Sequence, residues 1–215
     1  MRAVIFDLWD TLVEYPAAES AKLTDRLAEL VGMDAEEFGR LWRESYRASQ
    51  TGPLADVYRS LGVPEDHVDS HVEARHAFAR RALRLRHGAA MTLAALRRRG
   101  IKLAVLSVCS EDVPAAWPNT DLAGLFDVET FSSECGLMKP EPEIYLHTAR
   151  GLGVAPRDCL FVGDGANDEL AGAQRAGMRA LLIHRPGDPP LWPEVQTWDG
   201  LRVTSIPQVL EVLEP

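Results

Sequence analysis

The stretch "AVIFDLWDTLVEYP", residues 3–16, predicts both the first strand of a sheet and the edge of an active site. Its leading apolar residues run directly into Asp7, and Trp9, Asp10 and Thr11 follow within a few positions. A short apolar run of this kind is typical of a buried strand. In open parallel sheets, ligands bind at the carboxyl ends of the strands. The chemistry of this edge therefore depends on which other strands end beside Asp7.

Length and composition indicate a globular protein. The 215 residues fit one α/β domain with a modest insertion, and 46% hydrophobic and 26% charged residues are ordinary values. The net charge of -9 disfavours nucleic acid and an anionic membrane as partners. The apolar run that Asp7 interrupts is too short for a signal peptide or a membrane span. Three cysteines without metal-type spacing predict a reduced, cytoplasmic protein.

Short apolar runs predict five buried strands, and helical or mixed segments separate them. This alternation favours a mostly parallel sheet. The runs are "AVIFDL" (3–8), "KLAVLSV" (102–108), "FDVETFS" (126–132), "CLFVGD" (159–164) and "RALLIH" (179–184). Apolar spacing and the positions of proline and glycine predict helices over 89–100, 142–153 and 167–178.

The strand signal disappears between Asp10 and about Arg84, where every segment has helical periodicity. We therefore expect an α/β fold with a Rossmann-like parallel sheet core and an inserted all-helical cap domain. The core comprises residues 1–13 and 85–215, and the cap comprises residues 14–84. A cap inserted after the first strand would lie beside the strand ends, where ligands bind.

Polar side chains follow four of the predicted strands. Asp7 follows the first strand, Ser107 ends the second, Lys139 lies in the loop after the third, and Asp164 and Asp168 follow the fourth. Three carboxylates at one edge would raise one another's pKa unless a cation lies among them, and Mg²⁺ suits such ligands. An aspartate that is free to attack could form an acyl-phosphate, with Mg²⁺ and a lysine neutralising the phosphoryl charge.

This pattern resembles the haloacid dehalogenase-like hydrolase superfamily along essentially the whole chain. The matching stretches are "FDLWDTL" (6–12), "LAVLS" (103–107), "SSECGLMKPEPEIY" (132–145) and "FVGDGANDELAGAQRAGM" (161–178). Any one of them alone is weak, but four in order at strand ends, with a helical insertion after the first, are specific.

The resemblance assigns a role to each candidate residue. It implies that Asp7 is the nucleophile, that Ser107 and Lys139 hold the phosphate, and that Asp164 and Asp168 bind Mg²⁺. It also implies that the residue two positions after the nucleophile gives its backbone carbonyl to the metal. In this chain that residue is Trp9.

Trp9 departs from the phosphatase pattern. Phosphatases of the superfamily usually have a second aspartate here, which protonates the leaving group and then activates water. An indole N–H cannot exchange protons at neutral pH. Loss of general acid–base help costs typically about 10²–10⁴-fold, so we expect slow ester hydrolysis. Strand alternation would turn the neighbouring Asp10 to another face, so it is not assigned the missing role.

The 2-haloacid dehalogenases of the same superfamily have a tyrosine at this position and need no metal. Two further features resemble that branch: "RLWRES" (40–45), whose Arg43 would bind the departing halide, and Tyr145, six residues after Lys139. Against it, Gly163 and Gly165 replace a serine and an asparagine, Val108 replaces an asparagine, and the metal ligand Asp164 is retained.

Three functions remain open at this point. The first is Mg²⁺-dependent hydrolysis of a small phosphorylated metabolite through an aspartyl-phosphate on Asp7. The second is 2-haloacid dehalogenase chemistry with Asp7 and Arg43. The third is a non-catalytic metabolite-binding protein of the same fold. The sequence indicates a small-molecule substrate, but it defines neither that substrate nor the oligomeric state.

Overall fold

The computed structural model of the protein describes residues 1–213 and contains a six-stranded parallel sheet with helices on both faces. The strands are β1 Ala3–Phe6, β2 Lys102–Ser107, β3 Val128–Phe131, β4 Cys159–Gly163, β5 Arg179–Ile183 and β6 Leu201–Val203. Their order in the sheet is β3-β2-β1-β4-β5-β6, and all pairs are parallel. The predicted fold class is confirmed.

The five predicted strands are confirmed with shifts of one or two residues at their ends. β1 lies at the centre between β2 and β4, and all of its residues are buried. This burial on both faces explains why β1 is a continuous apolar run. The sixth strand was missed because Leu201–Val203 is short and its first two residues are exposed, so it has no buried apolar run.

The helices of the sheet region lie on both of its faces. α6 and α11 pack with the layer that contains Val4 and Phe6, whereas α9 and α10 cover the layer that contains Ala3 and Ile5. These helices are α6 Ala89–Arg98, α7 Asp112–Ala116, α8 Ser132–Cys135, α9 Pro142–Leu152, α10 Glu169–Arg175 and α11 Val209–Val212. The three helices predicted outside the cap are confirmed, although the third begins two residues later than expected.

Five helices lie between β1 and α6: α1 Ala17–Leu30, α2 Ala35–Glu44, α3 Tyr46–Thr51, α4 Leu54–Ser60 and α5 Glu65–Ala82. They enclose an apolar core of their own, in which Phe38 and Tyr58 are fully or almost fully buried. Val13 forms isolated bridges with Trp9 and Leu85, so the chain enters and leaves this helical segment at neighbouring points. The domain limits at 14–84 stay a prediction.

No helix of the described part of the chain combines the length and the apolar character that a membrane span needs. The three cysteines are free, and Cys109 and Cys159 are buried.

Candidate active site

Asp7 lies at the carboxyl end of the central strand and marks the base of the candidate site. Its backbone N–H donates to the carbonyl of Val162 at 2.8 Å, which continues the pairing of β1 with β4 past the end of the strand. Its side chain is buried, and Oδ2 has no hydrogen-bond partner among the described residues. The pleat of the sheet thus presents one unsatisfied carboxylate oxygen at the edge where ligands bind.

Lys139 reaches this carboxylate from the loop before α9. Its Nζ lies 2.5 Å from Asp7 Oδ1 and 2.5 Å from Glu169 Oε2, and 5.5 Å from the centre of the Phe161 ring. Burial opposes the charge on Lys139, but the carboxylates of Asp7 and Glu169 outweigh it and raise the pKa of the ammonium. Lys139 is therefore a permanent cation between two acids.

Three carboxylates form a compact cluster: Asp7, Asp164 and Glu169 each place an oxygen within 4.8 Å of the others. Burial raises the pKa of Asp7, and the negative charge of Asp164 adds to this effect, while Lys139 opposes it. Burial also raises the pKa of Glu169 well above its ordinary value. One lysine for three carboxylates leaves an excess of negative charge that a cation would offset.

The donor set of this cluster fits Mg²⁺. The ligands are hard carboxylate oxygens, and Asp7 Oδ2 is buried without a partner among the described residues. Trp9 lines the cavity beside Asp7, and the role of its carbonyl as a metal ligand stays a prediction.

The acid that joins Asp7 and Asp164 is Glu169, whereas the sequence pointed to Asp168. Asp168 leaves 44% of its side chain exposed and pairs with Arg175 at 3.0 Å. Glu169 is buried, and its Oε1 accepts from the backbone N–H of Gly165 at 3.0 Å. A Cβ at Gly163 would lie 2.0 Å from Glu169 Oε1, so the absence of a side chain at Gly163 makes room for this carboxylate.

The backbone at the start of α10 explains why Glu169, and not Asp168, joins the carboxylate cluster. Asn167 and Asp168 have φ of 52° and 58°, in the left-handed region, and the helix begins at Glu169. Adjacent acids in "GDGANDEL" therefore point in different directions, which the spacing alone does not reveal. Gly163 was the signal in the sequence that could have indicated Glu169, because a glycine at this position leaves space for a longer acidic side chain.

Ser107 ends β2 and is fully buried. Its Oγ has no hydrogen-bond partner among the described residues, but Ser107 is not part of the cavity lining, to which Val108, Cys109 and Ser110 contribute instead. Its predicted role in phosphate binding stays a prediction. Tyr145, which matches the dehalogenase pattern, is buried. Its hydroxyl donates to the backbone carbonyl of Glu169 at 2.8 Å and so helps to position this residue of the cluster.

The structure does not bring Arg43 to the site. Arg43 is exposed on α2 and is not part of the cavity lining. The arginine at the cavity is Arg75 of α5, which lies 5.3 Å from the centre of the Trp42 ring and 5.1 Å from that of Phe78. Its Nη2 lies 3.4 Å from Asp112 of α7. Sequence reasoning missed Arg75 because helical periodicity alone does not show which face of α5 meets the core.

Asp10 faces the cavity, contrary to the expectation from strand alternation. The reason is that β1 ends at Phe6 and Asp10 has a left-handed φ of 53°, so alternation no longer applies. Asp10 Oδ1 accepts from the backbone N–H of Tyr15 at 3.0 Å and from Arg86 Nη2 at 3.1 Å. Arg185 donates to the backbone carbonyl of Asp10 at 2.8 Å, so the turn is held from both sides.

The cavity has a volume of about 320 Å³ and lies between the strand ends and the helical segment. Five aromatic side chains contribute to the lining of the cavity, and we call them the aromatic wall: Trp9, Tyr15, Trp42, Tyr46 and Trp192. Trp192 was not singled out from the sequence, and its indole N–H donates to Asp164 Oδ2 at 2.7 Å.

A family model described as haloacid dehalogenase-like hydrolase matches residues 1–177. The chain belongs to this hydrolase family. It is 31% identical over 201 residues to glyceraldehyde 3-phosphate phosphatase of Methanopyrus kandleri, covering 86% of this chain and 84% of that protein. It is 30% identical over 204 residues to (S)-2-haloacid dehalogenase 4A of Burkholderia cepacia, covering 88% and 86%.

The fold is similar to the crystal structure of a phosphatase of the family from Thermococcus onnurineus, with a TM-score of 0.74 at 22% identity over 99% of this chain and 98% of that one. The relatives thus include both phosphatases and a dehalogenase, so membership of this hydrolase family leaves the reaction to be argued from the site.

Proposed function

We propose that this hydrolase is a Mg²⁺-dependent phosphatase that acts on a small phosphorylated metabolite through an aspartyl-phosphate on Asp7. The observation that carries the proposal is the buried cluster in which Lys139 bridges Asp7 and Glu169, with Asp164 alongside. Dehalogenation needs no such concentration of carboxylates, whereas phosphoryl transfer uses a metal ion held by them. We also propose that the protein is located in the cytoplasm.

In the first step, the transfer of the phosphoryl group to Asp7, Lys139 and the carboxylate cluster have different roles. Lys139 holds Asp7 Oδ1, which leaves the other carboxylate oxygen to attack phosphorus. The bond from phosphorus to the ester oxygen breaks, and its electron pair leaves with that oxygen. Mg²⁺ held by Asp7, Asp164 and Glu169, with the Trp9 carbonyl, would supply positive charge for the phosphoryl oxygens.

In the second step, water attacks the aspartyl-phosphate, releases inorganic phosphate and restores the Asp7 carboxylate. Lys139 keeps its contact with the Glu169 carboxylate during this step, because that contact does not depend on the esterified Asp7. Trp9 offers no proton acceptor to this water, so we expect the second step to be slow.

The test is a phosphate-release assay over a panel of phosphate esters with Mg²⁺. We expect turnover by the native protein and a phosphoryl group on the Asp7 peptide after acid quenching, detected by mass spectrometry. Asp7→Asn should lower the rate by about 10³-fold or more, as loss of a nucleophile does. Asp121→Asn, at an exposed position outside the cavity lining, is the matched control. Full activity in Asp7→Asn would refute the proposal.

The second candidate function is hydrolytic dehalogenation of a 2-haloacid. The aromatic residue at position 9, the contact of Lys139 with Asp7 and the dehalogenase relative favour it. The same protein is assayed for halide release from a 2-haloacid with a chelator present. Release that persists in the chelator, without phosphatase activity, would replace the first proposal with this one.

A further inference from the structure

Among the described residues that line the cavity, no carboxyl group outside the cluster is free to protonate a leaving group. These carboxyl groups are Asp10 and Asp112, and both have cationic partners. Asp10 Oδ1 accepts from Arg86 and from the backbone of Tyr15. Asp112 accepts from Ser110 Oγ at 2.5 Å and pairs with Arg75 at 3.4 Å.

The other acidic groups of the described cavity lining either have hydrogen-bond partners already or are too weakly acidic to protonate a leaving group. Asp164 accepts from Trp192 and from the backbone of Ala166 at 3.2 Å. Glu169 is held by Lys139 and by the backbone of Gly165. Burial raises the pKa of the Tyr46 phenol and of the Cys109 thiol above their ordinary values, so both groups are weak acids at neutral pH.

Without a proton donor, the ester oxygen must leave as an anion. An alkoxide is as poor a leaving group as hydroxide, because alcohols are about as weakly acidic as water. A phenolate is far better, because a phenol has a pKa of about 10. The first step therefore favours esters whose leaving group is already a stable anion.

The aromatic wall independently selects the same kind of leaving group. Trp9 packs edge-on against Tyr15 with ring centres 5.3 Å apart, and Trp42 and Tyr46 line the cavity from the helical segment. Such rings attract a planar apolar group through offset or edge-to-face ring contacts. Arg75 lies against the ring of Trp42 on this side.

The wall offers little to a polyhydroxylated substrate. Three of its polar neighbours already have partners: Gln50 donates to Ser49 Oγ at 3.0 Å, Ser110 donates to Asp112, and Arg75 pairs with Asp112. Hydroxyl groups that enter such a site without partners lose their hydrogen bonds to water, which costs affinity.

We propose that the substrate is an aryl phosphate monoester, whose ring lies against the aromatic wall and leaves as a phenolate. This inference rests on the proposed phosphatase function and specifies its substrate class. An Asp7 oxygen bonds to phosphorus, the bond from phosphorus to the aryl oxygen breaks, and the electron pair stays on that oxygen. The phenolate takes a proton from solvent, and water then hydrolyses the aspartyl-phosphate.

The first experiment compares phenyl phosphate with benzyl phosphate. Both carry one ring, but only phenyl phosphate has an aryl leaving group. We expect the native protein to prefer phenyl phosphate in kcat/KM. Trp9→Asp adds an acid beside Asp7, so the preference should fall by about 10²-fold or more. Trp9→Asn is the matched control, because asparagine has the shape of aspartate but no acidic group. Its preference for phenyl over benzyl phosphate should stay above that of Trp9→Asp.

The native protein also gives a test that needs no variant at position 9. Across substituted phenyl phosphates, kcat/KM should rise steeply as the pKa of the leaving phenol falls. A flat dependence, or equal use of phenyl and benzyl phosphate, would overturn the proposal. A dependence that steepens in Asp10→Asn would also overturn it, because Asp10 would then be the missing proton donor.

Ring recognition is tested separately with acetyl phosphate, which has a good leaving group and no ring. Tyr46→Ala should raise KM for phenyl phosphate several-fold more than KM for acetyl phosphate, because the side chain contributes to the aromatic wall. Equal changes for the two substrates would count against ring recognition.

The two proposals fail in different ways. If benzyl and phenyl phosphate are both hydrolysed equally well and Asp7→Asn abolishes both activities, the phosphatase function stands and the aryl preference is wrong. If the native protein forms no phosphoryl adduct on Asp7 with any ester, the phosphatase function itself is wrong.

Discussion

The adjacent acids Asp168 and Glu169 show that a shift of one position along the chain changes the surroundings of a carboxylate. Asp168 lies in a left-handed turn and pairs with exposed Arg175, whereas Glu169 begins α10 and is buried against Lys139. Buried charges interact strongly because little water screens them, while an exposed pair is worth about 0–1 kcal/mol. The two carboxylates therefore have different expected roles.

The first prediction at this scale separates these two acids. Glu169→Gln should weaken Mg²⁺ binding and lower phosphate release by about 10-fold or more, because it removes one carboxylate of the cluster. Asp168→Asn, the matched control, should change both by less than about 2-fold. Titration of Mg²⁺ against activity and isothermal calorimetry measure the two effects. The reverse order would return the metal site to Asp168.

The second residue-scale prediction concerns pH. Burial raises the pKa of Glu169 in the folded protein, and an unfolded glutamate titrates near pH 4.3. The folded state therefore holds this proton more tightly, and the stability that it contributes is present at low pH and is lost as pH rises through the raised pKa.

Glu169→Gln removes this titration. In a chelator, the melting temperature of Glu169→Gln minus that of the native protein should increase as pH rises above about 4.3. Thermal unfolding followed by circular dichroism at several pH values measures the difference. A difference that stays constant or decreases with pH would show that Glu169 does not bind its proton more tightly after folding.

At the scale of elements, Arg75 connects α5 of the helical segment to α7 of the sheet region. Its side chain is about 10% exposed, that of Asp112 about 2%, and the rings of Trp42 and Phe78 enclose the guanidinium. A buried charge that loses its partner is strongly destabilising, although the intact pair contributes little net stability. The contact therefore favours one packing of the helices on the sheet.

Arg75→Met should lower the free energy of unfolding by about 3–5 kcal/mol, because it leaves the Asp112 carboxylate buried with Ser110 as its one side-chain partner among the described residues. The double variant Arg75→Met, Asp112→Asn should recover part of this loss, because it removes the unpaired charge. Urea unfolding measures both values. Asp112→Asn alone completes the comparison, and a loss in the double variant equal to the sum of the two single losses would show that the pair is not coupled.

At the scale of the whole molecule, the site assembles from distant parts of the chain. The carboxyl ends of β1 and β4, the loop before α9 and the start of α10 all meet at one edge of the sheet. The turn after β1 is also tied to the segment after β5, since Arg86 donates to both Asp10 and Asp188 and Arg185 donates to the backbone carbonyl of Asp10. A ligand at this edge therefore stabilises several elements together.

Mg²⁺ should raise the melting temperature of the native protein. A ligand that binds only the folded state adds about 2.7 kcal/mol at 100 times its Kd. Asp164→Asn should largely remove the shift, whereas Asp121→Asn should keep it. Differential scanning calorimetry with Mg²⁺ and with a chelator measures the change. Equal shifts in native protein and Asp164→Asn would place the Mg²⁺ elsewhere.

Much of the fold could be predicted because its strands are buried on both faces. Residues such as Val4 and Phe161 must be apolar whatever surrounds them, so the runs are visible in the sequence. β6 could not be predicted because it lies at the edge of the sheet, where Leu201 and Arg202 are exposed. Its position depends on pairing with β5, which is a long-range contact.

The sequence by itself determined the parallel sheet, the helical insertion and the meeting of Asp7, Lys139 and Asp164 at one edge, because the alternation of strands and helices and the positions of the strand ends follow from local patterns. Only the tertiary structure decided that Glu169 joins the cluster and that Arg75 lies at the cavity. The physical reason is that a side chain's direction depends on where a helix begins and which of its faces is buried. Contacts between distant segments decide both, and no local spacing records them.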